Sequence, residues 1–81
     1  MQEFGIVITF ANSPLGTGSV DVSKSGHTAL GIVGIYYDRT SNIHLETFYI
    51  YSSNIAQVWF RRPDNGNVTM TKNINVHILY K

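Results

Sequence analysis

Three histidines, five carboxylates and a scatter of tyrosine, tryptophan and arginine are the side chains of this 81-residue sequence with chemistry to offer. His27, His44 and His77 are the natural candidates for holding a metal ion, but they fall in three separate segments with no paired spacing. A zinc site needs three or four converging ligands, and nothing local enforces that convergence, so no metal centre is expected. A hydrolase built on two carboxylates has only Glu3, Asp21, Asp38, Glu46 and Asp64 to draw on, all in different elements and mostly in or beside turns. There is no Gly-x-Ser-x-Gly elbow to strain a serine nucleophile. The glycine-rich stretch at 16–18 is not followed by a helical pattern, so it is not a phosphate cradle. The expectation is a protein without catalytic residues and without a cofactor. Asn67-Val68-Thr69 matches a glycosylation sequon, a match too short to carry weight.

What remains is recognition chemistry. Tyr36, Tyr37, Asp38, Arg39 and Asn42 form one cluster of aromatic and polar groups, and Trp59, Arg61 and Arg62 form another. Tyrosine, tryptophan and arginine dominate binding hot spots because each offers a large area at modest entropy cost and carries a polar handle. These eight residues are the candidate ligand-binding set. For Trp59 a second role stands beside ligand contact: with Gln57 and Ile55 it could form a strand face buried between identical chains.

The elements that position these residues are strands. Phe4, Ile6, Ile8 and Phe10 alternate with Gly5, Val7 and Thr9, giving one strongly apolar face. Residues 12–18 are rich in turn formers and are expected to lack a regular ladder. Val20 and Val22 then point one way and Asp21 the other, and Lys24-Ser25-Gly26 turns the chain. Residues 28–37 form an almost continuous apolar run, which predicts a central strand covered on both faces, with Gly31 and Gly34 marking a bulge or a close backbone approach. A polar loop at 38–42 leads into residues 43–51, where Phe48 and Ile50 share one face and Leu45, Tyr49 and Tyr51 the other. Ser52-Ser53-Asn54 is a short hairpin connection to a strand whose Ala56, Val58 and Phe60 face the core. The loop at 62–67 contains Asn65-Gly66, a pair suited to the positive φ of a tight turn. The last strand still alternates at Tyr80, as expected of a segment held between neighbours in a sheet.

No segment carries a helical apolar stripe, and six to seven short strands separated by turn signals predict an all-β sandwich or barrel in a single domain. A chain this short buries only about 60% of the surface its unfolded form exposes, so small domains usually rely on disulfides, metals or partner chains. With no cysteine and no metal pattern, oligomerisation is the expected source of stability. Charged residues make up 14% and the formal net charge is +1, with Arg61-Arg62 the only adjacent basic pair, so nucleic acid is not an expected partner. No basic, apolar leader and no apolar run of the roughly 18 residues of a membrane span is visible, so membrane insertion is not expected.

The block running from Val20 through Lys24-Ser25-Gly26-His27-Thr28-Ala29-Leu30-Gly31-Ile32-Val33-Gly34 resembles a pattern of the C-terminal tip domains of bacteriophage tail-fibre and baseplate proteins. Those domains share a Lys-x-Gly-aromatic-x-x-Leu-Gly-Ile-Val-Gly block, a variable loop, a strand ending in a Ser/Asn turn, an alternating strand with Ala and Val, and a Val-x-Val-Leu-Tyr-like ending. The likeness covers roughly residues 18–81, with Phe48, Ser52-Ser53-Asn54, Ala56-Gln57-Val58-Trp59-Phe60 and Val76-His77-Ile78-Leu79-Tyr80 at the matching places. Two departures bear on ligand choice: His27 stands at a tyrosine position, and Arg61-Arg62-Pro63 replaces a more usual Arg-Asn turn. The resemblance implies a jelly-roll-like antiparallel β-sandwich, assembled as a homotrimer at the distal end of a virion fibre or baseplate. It also implies contact with a glycan or protein of the host cell surface. A purely structural trimerisation cap and a carbohydrate-binding module are the alternatives.

Overall fold

The computed structural model describes residues 2–37, 43–51, 54–62 and 70–81. Six strands follow one another along the chain: β1 (Gln2–Phe10), β2 (Leu15–Asp21), β3 (Ala29–Tyr36), β4 (His44–Tyr51), β5 (Ile55–Arg61) and β6 (Met70–Tyr80). All pair antiparallel in one sheet of order β3-β6-β1-β2-β5-β4, which curls into a nearly closed, barrel-like shape. The expected all-β antiparallel fold is therefore present. Among the described residues there is no helix, and so none long and apolar enough to cross a membrane.

The core follows from alternation. Ile6, Ile8 and Phe10 of β1, Ala56, Val58 and Phe60 of β5, and Ile74, Val76 and Ile78 of β6 are buried and pack into one cluster with Val22 and Ile43. β6 lies between β1 and β3, so the final strand is held on both edges, and Lys81 continues the pairing by exchanging main-chain hydrogen bonds with Thr28. The chain reverses after β2 at Lys24–His27, where Gly26 takes a φ of 76°.

Three expectations are corrected. Residues 15–18 are not part of a turn: they form the first half of β2 and pair with β5 from Arg61 to Val58. Their glycines serve a close approach to β1. A Cβ on Gly16 would sit 2.6 Å from the Phe10 ring, and one on Gly18 would strike the Val7 carbonyl oxygen and the Ile6 and Ile8 methyls. The apolar run at 28–37 is an edge strand, not a central one. Two bulges, at Leu30 and Val33, change its inward period from two to three, so Ala29, Ile32 and Ile35 face the core while Leu30 and Val33 are extra, exposed residues. The bulge reading of the glycines holds. In β4 a third bulge at Glu46 moves Leu45 onto the Phe48 and Ile50 face, opposite Phe60 of β5.

The β4–β5 hairpin is present, with Asn54 at a φ of 66°, while Ser52 and Ser53 lie outside the described residues. The expected loop at 38–42, and all of the expected loop at 62–67 but Arg62, including the Asn65-Gly66 turn, also lie outside them.

Candidate functional site

The outward side chains of β5 are Ile55, Gln57, Trp59 and Arg61, because the alternate positions are committed to the core. Pairing on both sides of β5 fixes what stands beside each. Thr17 of β2 and Thr47 of β4 flank Trp59, Ser19 and Tyr49 flank Gln57, and Asp21 and Tyr51 flank Ile55. Small or polar residues from β2 and aromatic residues from β4 thus border the β5 row. The result is an open, three-stranded outer face backed by the core.

Tyr49 and Tyr51 are two residues apart on β4, both about two-fifths exposed, with ring centroids 5.9 Å apart at 59°. The Tyr49 hydroxyl donates to Gln57 Oε1 across the strand pair. At one end of the face Arg61 Nε donates to Glu46 Oε2 at 2.8 Å and Arg61 Nη2 to Oε1 at 3.3 Å. The hydrogen bond from Arg61 holds the Glu46 carboxyl below its ordinary range, and the same bond raises the guanidinium. At the other end, Asp21 accepts from the Ser23 hydroxyl at 2.5 Å and the Ser23 main-chain N–H at 2.8 Å, which lowers its pKa. Each charge on this face already has a partner.

A second feature is the open seam between the two edge strands. Ile32, Val33, Gly34 and Ile35 of β3 face Leu45 and Phe48 of β4, with Tyr37, across an open groove of about 310 Å³. Phe48 faces inward by register yet is 45% exposed, because no strand covers the gap.

The eight candidates from the sequence do not form one site. Trp59 and Arg61 share the outer face of β5. Arg62 is buried, and its main-chain N–H donates to the Pro14 carbonyl at 2.8 Å, so it belongs to the strand connection and not to an exposed recognition loop. Tyr36 lies on the outer side of β3, its ring over Gly34 and tilted against His77 at 4.6 Å, and His77 in turn bonds Glu3 at 2.9 Å. Tyr37 packs edge-on against Phe60 at 4.9 Å. Asp38, Arg39 and Asn42 lie outside the described residues.

Tyr49, Tyr51 and Gln57 were not in the candidate set. The alternation at 49 and 51 is visible in the sequence, but their proximity to Trp59 depends on the β4–β5 register, which runs unbroken from Tyr51–Ile55 to Thr47–Trp59. Among the described residues no group of three or more potential metal ligands comes together. The outer face supplies stacking surface and hydrogen bonds, the chemistry of binding. No family model, curated protein or solved structure matches this chain.

Proposed function

We propose that this chain is a non-enzymatic recognition domain that works as a homotrimer, at the tip of a bacteriophage tail fibre or baseplate, and contacts a glycan or protein of the host cell surface. The virion location rests on the sequence resemblance described above, as does the jelly-roll-like relationship. One structural observation supports an assembled interaction module: of the eight large apolar or aromatic side chains exposed among the described residues, six lie on the two edge strands. They are Leu30, Val33 and Tyr36 on β3 and Phe48, Tyr49 and Tyr51 on β4. Exposed apolar edges attract other chains, and natural proteins cover or disrupt them unless contact is their purpose.

In this reading the seam between β3 and β4 meets neighbouring copies, and the outer face of β2, β5 and β4 stays open to the host surface. Copies covering the seam also supply the buried area that a chain of 81 residues lacks. The seam equally favours a second reading, a structural cap that trimerises and binds nothing further.

Sedimentation and adsorption test the proposal together. The chain should sediment at three times its 9.1 kDa mass at micromolar concentration and adsorb to intact host bacteria. A trimer that adsorbs to no cell leaves the structural cap, and a well-folded monomer overturns both readings.

A further inference from the structure

The outer face of β2, β5 and β4 carries a pattern more specific than general stickiness. Tyr51 and Tyr49 follow one another at the strand repeat, roughly 6.6 Å apart along β4. Trp59 on β5 stands opposite Thr47, one diagonal step beyond Tyr49, so the three rings form a file across two strands. Thr17 and Thr47 stand on either side of Trp59, whose side chain is partly exposed on this face.

Polar groups stand between the rings. The Tyr49 hydroxyl already donates to Gln57 Oε1, which leaves the Gln57 amide N–H groups and a Tyr49 oxygen lone pair to serve hydroxyls. The charges point away from a polyanion. Glu46 and Asp21 outnumber Arg61 on this face, and the guanidinium is engaged by Glu46. Among the described residues of this face, phosphate-rich or uronate-rich chains meet no lysine and only the engaged Arg61, with His44 opposite it, whereas nucleic-acid platforms pair their aromatics with a basic groove.

We infer that this face binds the flat side of an extended, neutral polysaccharide, whose ring C–H faces stack on Tyr51, Tyr49 and Trp59 while its hydroxyls bond Gln57 and Tyr49. The inference deepens the recognition reading above and rests on it. An open face with no enclosing wall suits the middle of a repeating chain better than a terminal sugar, because the aromatic positions extend along and across two strands.

Trp59 is the sole tryptophan, so its fluorescence reports the site directly. The intact chain is titrated with neutral hexasaccharides, one of β-1,4-linked glucose and one of β-1,4-linked N-acetylglucosamine, and with polygalacturonate and oligo-thymidine. A saturable change in Trp59 emission with a neutral hexasaccharide, and none with the two polyanions, is expected. Tyr49→Ala and Tyr51→Ala should each weaken binding about tenfold or more, the scale of losing one aromatic anchor. Tyr49→Phe keeps the ring and should retain most of the affinity; thermal midpoints of all variants check that the fold persists. Silence with both neutral hexasaccharides, or a response to oligo-thymidine instead, overturns the inference. Failure of the broader reading is seen separately: a folded monomer that binds a hexasaccharide removes the trimer and leaves this site standing. A trimer that adsorbs to cells but ignores both sugars removes only the carbohydrate.

Discussion

Glu46 is the one residue of β4 without a partner in the β5 ladder, and it is the residue whose carboxylate grips Arg61 of β5 at 2.8 and 3.3 Å. The bulge and the ion pair act together. An extra residue between Leu45 and Thr47 sends Leu45 inward to Phe60 and leaves Thr47, Tyr49 and Tyr51 outward beside Trp59, Gln57 and Ile55. Without it, alternation places Leu45 on the outer face with the tyrosines.

Glu46→Gln keeps the shape of the side chain and removes its charge. The Glu46 pKa is lowered in the folded state below its ordinary 4.5, chiefly by the hydrogen bond from Arg61. A lowered folded pKa stabilises the protein above the unfolded value and loses that effect as pH falls through the folded value. The substitution should therefore cause a small drop in thermal midpoint at pH 7, further reduced by salt because the pair is solvent-exposed, and a difference that shrinks as pH falls below 4.5. Melting curves of both proteins from pH 7 down through the acid range check this; a difference that does not shrink with falling pH assigns the effect to something other than the charge.

Gly18 and Gly31 are both strand glycines, in β2 and β3, but their surroundings differ. A Cβ at Gly18 meets the Val7 carbonyl oxygen, which is main chain and cannot swing aside, with Ile6 and Ile8 methyls at 2.7 Å. At Gly31 a Cβ meets nothing within 4 Å. Gly18→Ala should cost about 1–3 kcal/mol, the range of overpacked cores. Gly31→Ala should fall within about 0.5 kcal/mol of the parent. Urea denaturation midpoints measure both, and equal effects would contradict the close approach of β2 to β1.

Tyr80 closes the end of the core by donating its hydroxyl to the Val22 carbonyl at 2.5 Å, with Lys24 Nζ 5.2 Å from its ring centre. Burial, and secondarily the charge of Asp21, push its pKa above 10.0. The folded state thus holds the phenolic proton more tightly than the unfolded chain, so this stabilisation is complete below pH 10 and is lost as pH rises through the folded value. Tyr80→Phe should cost about 1 kcal/mol at pH 7 for the lost hydrogen bond. The gap between the two proteins should narrow above pH 10, where only the parent has a phenol to ionise. Chemical denaturation at pH 7, 9 and 10.5 follows that gap.

Much of the fold was legible because β1, β5 and β6 alternate without interruption, and their apolar sets Ile6-Ile8-Phe10, Ala56-Val58-Phe60 and Ile74-Val76-Ile78 are the core. What alternation could not reveal was a change of period. The bulges at Leu30 and Val33 place apolar residues inward every third position, which in sequence is indistinguishable from a run buried on both faces, and β3 was read as central for that reason. Gly16 and Gly18 carried the opposite ambiguity: glycines beside Pro14 read as turn, whereas here they are strand residues stripped of side chains so that β2 can lie against Phe10 and Val7. The outer face was half visible. Trp59 and Arg61 were chosen by type, Gln57 shares their face by alternation along β5, and Tyr49 and Tyr51 joined them only through cross-strand register. Arg62, chosen with them, is buried, and its main chain is tied to Pro14.

The seam offers the sharpest test of assembly. Val33 on β3 and Phe48 on β4 line it from opposite edges and remain about half exposed, so each can accept a charge without the core collapsing around it. If neighbouring copies cover the seam, Val33→Asp and Phe48→Asp bury a carboxylate at the interface without a partner, a cost that oligomers of small domains do not absorb. Both variants should sediment as folded monomers with the circular dichroism of the parent. Val7, equally exposed but on the outer side of β1, is the control: Val7→Asp should leave the sedimentation of the assembly unchanged. Retention of the trimer in Phe48→Asp together with its loss in Val7→Asp would move the interface from the seam to the outer side of β1, leaving the groove between β3 and β4 open in the assembled particle.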